Sequence, residues 1–188
     1  MINHSCVPNA TLSWVMGDFQ RKQVRAIMVI EKNEEILSSW QNTVEFIFGS
    51  REFRQQQVLE AGGFLCQCSE CSLEADDLEE NEKMRTEIKE KETEIEQLLM
   101  CGESHPVPRR SNMKKVLKLF QKKTNMVKNL NLRTEFVTAM LEFYQFATKA
   151  RMMGVHCKND PDIYKQEALK YAKMFGDTHL YLYNKFSK

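Results

Sequence analysis

The stretch Gly62–Cys71, "GGFLCQCSEC", places three cysteines within six residues: Cys66, Cys68 and Cys71. The stretch is short and largely small or polar, so it cannot form a hydrophobic core of its own. Clustered cysteines in a chain without the spacing of a secreted disulfide scaffold indicate a metal site in a reducing compartment. Zinc favours four soft ligands in a tetrahedron, with sulfur at about 2.3 Å. The stretch therefore predicts a zinc site that needs a fourth ligand from elsewhere.

The fourth ligand has several candidates among the remaining cysteines and the histidines: Cys6, Cys101, Cys157, His4, His105, His156 and His179. Cys6 is preferred because it lies in a polar segment with no other obvious role. From there it would tie the beginning of the chain to the cysteine stretch. Four thiolates leave no coordination position for water, so the predicted zinc is structural rather than catalytic. The alternative is that the three clustered cysteines are simply small buried residues, as free cysteines often are.

Length, net charge and hydropathy exclude some classes of protein. A chain of 188 residues suits one or two domains, and its formal net charge of +1 gives no overall preference for nucleic acid or anionic membranes. It has no apolar run long enough to span a membrane and no signal-peptide pattern. No basic motif interleaved with aromatic residues occurs, so nucleic acid is not an expected partner. The expected location is the cytoplasm, the nucleus or both.

Charge is divided between two neighbouring blocks. Residues 76–103 hold eleven acidic and four basic residues, a net charge of −7, whereas residues 104–158 hold twelve basic and two acidic residues, a net charge of +10. Such blocks can attract each other when the chain folds back, or they can form two solvated faces. The basic block from Arg109 to Lys128 would offer a surface for an acidic protein partner.

The first part of the chain, from Met1 to about Phe53, has a β pattern. The runs "ATLSWVM" (10–16) and "QVRAIMVI" (23–30) predict a hairpin across the polar turn "GDFQRK" (17–22). A second turn contains Asn33, a residue that tolerates positive φ. The run "ILSSW" (36–40) predicts a short third strand.

The rest of the chain has helical patterns. Residues 46–61 form the first, with Phe53, Val58 and Leu59 at helical spacing and Gly62-Gly63 ending it. Residues 76–102 carry an apolar stripe of Met84, Ile88, Ile95 and Leu99. After a proline-containing connection at 104–110, helices are predicted at 111–130 with Ser111 as cap, 132–154, 160–176 with Asp160 capping and Pro161 first, and 177–186. In the helix predicted at 111–130, the inward residues are expected to be Val116, Leu119, Phe120 and Val127. Short connections favour an antiparallel helix array.

Taken in order, "NHSCVPN" (3–9), the hairpin, the Glu34-Glu35 turn before a short strand and "GGFLCQCSEC" resemble the C-terminal half of a SET domain. The pattern is most similar to the SET-and-MYND (SMYD) family of protein-lysine methyltransferases. The resemblance implies an α+β fold with half a SET domain at residues 1–55, a post-SET zinc segment at 56–75 and a helical, tetratricopeptide-like C-terminal domain at 76–188. Because that family has a MYND finger and the first half of the SET domain before "NHSC", the chain is interpreted as a fragment.

The resemblance also assigns residue roles. Asn3 and His4 match a pair that contacts the methyl donor S-adenosylmethionine, and Phe64 matches an aromatic residue that packs on its adenine. The four post-SET zinc ligands of the family correspond to Cys6, Cys66, Cys68 and Cys71. The implied substrate is a protein or peptide that presents a lysine.

Two positions depart from the family pattern. The catalytic tyrosine is replaced by Trp40, which has an indole N–H but no hydroxyl, and Gly62 stands where a second aromatic residue normally walls the lysine channel. Both changes would impair methyl transfer, so no catalytic residue is assigned. The alternative function is a non-catalytic, protein-binding helical module.

Overall fold

A computed structural model describes residues 2–15, 18–100, 109–157 and 160–175 of the chain. The chain divides into two compact units. The first contains the residues up to Thr86 together with those from Tyr171 onward, and the second is Glu87–Lys170. Several predicted features lie outside the described residues: the connection at 104–108, the helix at 177–186, and the candidate ligands Cys101, His105 and His179. None of the described helices is long and apolar enough to cross a membrane.

The described residues of the first unit form four strands: β1 (Asn3–His4), β2 (Ala10–Val15), β3 (Asp18–Ala26) and β4 (Leu37–Ser38). Strands β2 and β3 pair antiparallel, with Ala10 opposite Ala26, which confirms the predicted hairpin. Strand β1 pairs in parallel with β4, an arrangement that its two residues were too few to predict. Asn33 has a φ of 71°, as expected for its turn.

The predicted limits of β3 were wrong at both ends. The strand begins at Asp18, inside the polar run taken for a turn, and ends at Ala26 rather than Ile30. The partner strand sets these limits, because β2 begins at Ala10 and has no residue left to pair beyond Ala26. One further hydrogen bond, from the Ile27 N–H to the Asn9 carbonyl at 2.9 Å, follows the ladder.

The helix predicted at 46–61 is in fact two helices, α1 (Val44–Ile47) and α2 (Arg51–Gly62). Each helix has its own side-chain cap: the Thr43 hydroxyl accepts the Phe46 N–H at 3.2 Å at the start of α1, and the Ser50 hydroxyl accepts the Phe53 N–H at 3.3 Å at the start of α2. Helix α2 ends at Gly63 with a φ of 73°, as predicted.

The three apolar residues whose spacing predicted a helix all lie on α2, but they do not share one buried face. Phe53 and Leu59 are 41% and 42% exposed, whereas Val58 and the charged Arg54 are buried. The four-residue spacing of Arg54 and Val58 puts them on one helix face. The buried face of α2 therefore includes a charged residue as well as an apolar one.

Four longer helices follow: α3 (Ala75–Leu99), α4 (Arg110–Asn129), α5 (Arg133–Met152) and α6 (Pro161–Phe175). Helix α4 begins at Arg110, so the predicted Ser111 cap was wrong; Arg109 holds the cap position and makes no side-chain cap hydrogen bond. The Asp160 side chain accepts the Asp162 N–H at 3.1 Å and Pro161 is the first residue of α6, as predicted. The tetratricopeptide-like character of these helices stays a prediction.

Within the second unit, helix α4 packs against α5, which it reaches through three residues that include Asn131 at a φ of 54°. The core between them and the end of α3 is apolar. All four residues predicted to face inward from α4 are buried: Val116, Leu119, Phe120 and Val127. The hydrophobic spacing of α4 was therefore read correctly.

Opposite charges from the two sequence blocks meet in this unit. Lys115 on α4 pairs with Glu94 on α3 at 2.6 Å, and the buried Lys123 pairs with Glu92 and Glu142, each at 2.8 Å. Attraction between the blocks, one of the two alternatives that the sequence left open, is therefore realised at these residues.

Replacing Lys123 with methionine is expected to lower the free energy of unfolding by about 1–3 kcal/mol, because two partly exposed carboxylates lose a buried partner. Burial lowers the pKa of Lys123, but the two glutamates outweigh it and the net pKa is raised. A raised folded-state pKa means that this stabilisation is present below the unfolded pKa of about 10.5 and is lost as pH rises through the folded value.

Urea denaturation at pH 8 and pH 11.5 would test this. The wild-type and Lys123→Met free energies should converge at the higher pH. Lys115→Met, which removes a more exposed lysine, serves as the control and should change stability by about 1 kcal/mol or less. An equal loss in both variants would contradict the prediction.

Candidate metal centre and adjoining aromatic cluster

Cys6 is positioned by the segment that follows β1. The pairing of β1 with β4 is extended by a hydrogen bond from the Ser5 N–H to the Ser38 carbonyl at 3.1 Å. The Ser5 hydroxyl accepts the Val7 N–H at 3.1 Å and lies 2.9 Å from the Val7 carbonyl. This serine turn holds Cys6 between Ser5 and Val7, where only 7% of the cysteine is exposed.

The three clustered cysteines lie on the loop that follows α2. Gln55 on α2 donates its side-chain amide to the Cys66 carbonyl at 2.9 Å. The Cys68 carbonyl then accepts the N–H groups of Cys71 at 2.9 Å and Ser72 at 3.0 Å, so the loop turns tightly between the second and third cysteines. The loop thus brings the three thiols to one point.

All four predicted ligands meet: the sulfur atoms of Cys6, Cys66, Cys68 and Cys71 lie within 4.8 Å of one another. Three of these cysteines are buried and Cys68 is partly so. The Cys6 and Cys71 sulfurs are 3.6 Å apart, far beyond a disulfide bond of about 2.05 Å. Sulfurs at about 2.3 Å from a tetrahedral zinc would be about 3.8 Å apart. The spacing therefore fits a metal ion and excludes a disulfide.

The four thiols also perturb one another. The hydrogen bond with Cys6 is the largest cause of a lowered pKa at Cys66 and of a pKa of about 5 at Cys68, while the bond with Cys66 raises the pKa of Cys6. Thiols coupled in this way lose their protons when a metal cation binds them. A group of four soft donors with this behaviour could hold zinc.

Arg54 supplies a positive charge beside the cluster. The residue has no exposed surface, and its Nη1 donates to the Gly49 carbonyl at 2.5 Å. Its Nε and Nη2 have no hydrogen-bond partner among the described residues. Burial lowers the pKa of Arg54, but its attraction to the sulfurs of Cys6 and Cys71 outweighs burial, and the net pKa is raised. The guanidinium therefore offsets part of the negative charge of the cluster.

A second buried arginine braces the cysteine loop. Arg85 on α3 donates to the Glu70 carboxylate at 2.9 Å, to the Asn81 side chain at 2.7 Å and to the Ile47 carbonyl. Asn81 donates in turn to the same Glu70 oxygen at 2.7 Å. Because Glu70 lies directly before Cys71, this network fixes the loop against α1 and α3.

The predicted cofactor residues lie in different environments. The Asn3 side chain is exposed and donates to Glu35 at 2.5 Å, and Phe64 is 37% exposed. His4 is buried, with both ring nitrogens next to groups of the chain: the Trp40 N–H at 3.1 Å and the Cys6 sulfur at 3.5 Å. The structure therefore leaves the side chains of Asn3 and Phe64 accessible to a ligand, but not the ring of His4.

Trp40 lies between His4 and Phe64. Its ring is 5.9 Å from the His4 ring and 5.6 Å from the Phe64 ring, both edge to face. The indole N–H donates to the Ile2 carbonyl at 3.0 Å. The side chain is therefore fixed, and its polar group is used within the chain.

The four cysteines lie partly inside and partly outside a segment that matches a known domain family. Residues 1–41 match the SET domain family. Cys6 and Trp40 fall inside this SET-domain match, whereas the other three cysteines and Phe64 follow it. The fold is therefore what joins the two parts of the site.

Two curated proteins are similar to part of the chain. It is 42% identical over 72 residues to the histone-lysine N-methyltransferase ASHR1 of Arabidopsis thaliana. It is 37% identical over 73 residues to the histone-lysine N-methyltransferase set5 of Schizosaccharomyces pombe (strain 972 / ATCC 24843). These matches cover 38% and 39% of the chain, but only 14% and 21% of the relatives. The findings support a SET-domain protein; membership of the SMYD family stays a prediction.

Gly62 explains how Trp40 fits at this place. A Cβ atom added to Gly62 would lie 2.5 Å from Trp40 Cζ3 and 2.9 Å from Phe64 Cε1. The indole thus occupies the space of a side chain at position 62. The two departures from the family pattern, Trp40 and Gly62, are therefore linked by packing: the glycine leaves the space that the indole fills.

Replacing Gly62 with alanine is expected to lower the free energy of unfolding by about 1–3 kcal/mol through overpacking against Trp40. In a Trp40→Ala background the same change should cost less, because only the contact with the partly exposed Phe64 ring remains and alanine favours helix over glycine. A urea-denaturation double-mutant cycle measures the difference. Additive effects would show that the two residues do not share this space.

Sequence reasoning missed the two buried arginines and Glu70. Nothing in the local pattern marks them, because arginine and glutamate are ordinarily surface residues. The only available signal was position: Glu70 lies between two cluster cysteines, and Arg54 lies four residues before the inward-facing Val58.

Proposed function

We propose that the chain is a protein-lysine methyltransferase homologue of the SET class, which uses S-adenosylmethionine and carries a structural zinc centre in a post-SET arrangement. The observation that carries the proposal is the meeting of four sulfurs, with Cys6 from the SET-domain match and three others from the loop after α2. A SET-domain match that lacked this partner loop would support the class more weakly. The helical C-terminal part is proposed to be tetratricopeptide-like, and the location cytoplasmic or nuclear.

Zinc would be held by Cys6, Cys66, Cys68 and Cys71. The donor set fits, since all four ligand atoms are soft and already within tetrahedral reach of one point. A Zn²⁺ ion with four thiolates has a net charge of −2, which Arg54 would partly offset. The ion would fasten the segment after β1 to the loop after α2, and no open position would remain for catalysis.

The cofactor would be held in part by Asn3 and Phe64, whose exposed side chains can offer hydrogen bonds and an aromatic surface. When bound, S-adenosylmethionine supplies an activated methyl group for transfer to a neutral amine. The proposed substrate is a lysine of a protein, in view of the two relatives named histone-lysine methyltransferases.

Trp40 bears on the rate of transfer. The residue has no hydroxyl, and its indole N–H is occupied by the Ile2 carbonyl. It therefore has no free donor or acceptor with which to orient an amine. We infer that methyl transfer by this chain is weak or absent even when the cofactor binds.

Calorimetry and a radiolabelled transfer assay test the proposal. The zinc-loaded chain should contain one zinc per chain, release or absorb heat on titration with S-adenosylmethionine, and transfer little label to histone or peptide lysines. Trp40→Tyr should raise transfer by at least about tenfold, whereas Trp40→Phe, an aromatic control without the hydroxyl, should not. Absence of any cofactor binding to metal-loaded protein would reject the methyltransferase class.

A non-catalytic protein-binding module is the second candidate. Lys114, Lys118 and Lys122 are exposed at four-residue intervals on α4 and form one basic stripe. Such a stripe suits an acidic protein partner. Binding of an acidic peptide that is lost in a triple Lys→Glu variant of these residues, in a chain that ignores S-adenosylmethionine, would favour this function.

A further inference from the structure

The hydrogen bonds of His4 define which ring nitrogen carries a proton. Its Nδ1 lies 3.1 Å from the backbone nitrogen of Trp40. A backbone N–H can only donate, so Nδ1 must accept and cannot itself be protonated. The single ring proton is then on Nε2.

The protonated nitrogen faces the metal centre. His4 Nε2 lies 3.5 Å from the sulfur of Cys6, within hydrogen-bonding range for sulfur. The sulfur of a zinc-bound cysteine carries no proton and can only accept, so in the zinc-loaded chain this bond runs from the Nε2–H to the Cys6 sulfur. The same ring thus accepts from the chain on one side and donates to a candidate ligand on the other.

Packing holds the ring in this orientation. His4 is only 6% exposed, and its ring makes edge contacts with Trp40 at 5.9 Å and Phe46 at 5.7 Å. Pairing of His4 with Ser38 fixes its backbone in the β1–β4 ladder. A flip of the ring would break both hydrogen bonds without exposing either nitrogen to water.

We propose that His4 is a positioning residue of the metal centre, a Nε2–H imidazole that donates to the Cys6 thiolate and links it to the Trp40 backbone. The role rests on the proposed zinc site, and it differs from the cofactor contact that the sequence resemblance implies for the side chain. Such outer hydrogen bonds orient a ligand and reduce its charge, and their loss costs about 10–100-fold in metal affinity.

Nitrogen NMR and cadmium substitution test the role on the full chain. Long-range ¹H–¹⁵N correlation of the zinc-loaded protein should show the His4 proton on Nε2. In protein loaded with ¹¹³Cd, His4→Phe, which keeps a ring but no donor, should shift the cadmium resonance and speed metal release to a chelator by about tenfold or more. His4→Gln restores an amide donor at a similar reach, so its rate of cadmium release should lie between those of the wild-type protein and His4→Phe.

The outcomes separate the two proposals. A chain that takes up no zinc or cadmium overturns the metal centre and this role with it. A chain that binds one metal ion but shows the His4 proton on Nδ1, or releases cadmium equally fast with phenylalanine at position 4, keeps the zinc site and overturns the role of His4. The NMR measurement needs only the wild-type protein, so it decides the question even if His4→Phe does not fold.

Discussion

Replacing Cys66 with serine is expected to remove the metal ion and to unfold the unit that contains residues up to Thr86. Cys66 is 1% exposed, and the loop around it has few apolar neighbours besides the other cysteines. Structural zinc contributes about 10–16 kcal/mol of apparent binding energy in small domains, a figure comparable to the whole stability of about 5–15 kcal/mol of a typical domain. Three thiolates would retain only part of it.

Metal analysis and circular dichroism would measure the effect. We expect zinc content to fall from one ion per chain to near zero, and the thermal unfolding of this unit to disappear. Cys157→Ser is the matched control, since Cys157 is a free, partly buried cysteine outside the cluster, and it should retain full zinc content. Equal zinc content in Cys66→Ser and wild-type protein would contradict the four-thiolate site.

Replacing Arg85 with methionine is expected to lower the free energy of unfolding of the same unit by about 3–5 kcal/mol. Arg85 is 1% exposed and holds the Glu70 carboxylate, the Asn81 side chain and the Ile47 carbonyl together. Methionine keeps an unbranched side chain as far as the ε position, so most of the loss comes from the unpaired carboxylate and carbonyl rather than from lost aliphatic packing. Because Glu70 adjoins Cys71, metal release should also become faster.

Arg51→Met provides the control for Arg85. Arg51 forms a surface ion pair with Glu52 at 3.7 Å, in which the two side chains are 30% and 70% exposed. Exposed pairs contribute about 0–1 kcal/mol, so this change should leave stability and metal release nearly unaltered. Guanidinium denaturation of zinc-loaded protein measures both variants. A loss in Arg85→Met no larger than in Arg51→Met would show that the buried network does not support the cysteine loop.

The cysteine pattern allowed more of the site to be predicted than any other feature. Zinc chemistry limits the donor types, so three closely spaced cysteines define most of a site and leave a short set of candidates for the rest. The contribution of Cys6 could be proposed from its polar surroundings and from a family resemblance, and the structure brings its sulfur to the other three. Whether the cluster holds zinc stays a prediction.

The environment of the site was much harder to predict. The burial of Arg54 and Arg85 depends on partners that are distant in sequence, such as Glu70 and the Ile47 carbonyl for Arg85. The limits of β3 and the pairing of β1 with β4 depend on which strands meet, and a two-residue strand carries no usable periodicity.

The sequence alone determined a β-hairpin, the apolar face of α4 and a cluster of three cysteines that needs a fourth ligand. Local periodicity and metal preference are properties of short segments, so they can be recognised without the fold. The tertiary structure alone decided which side chains lie next to the cysteine sulfurs and which charged groups lie next to one another. It placed His4 between Cys6 and Trp40, and the Trp40 indole in the space beside Gly62. Hydrogen bonds and steric exclusion act between atoms a few ångströms apart, and only the folded chain brings residues this far separated in sequence to that distance.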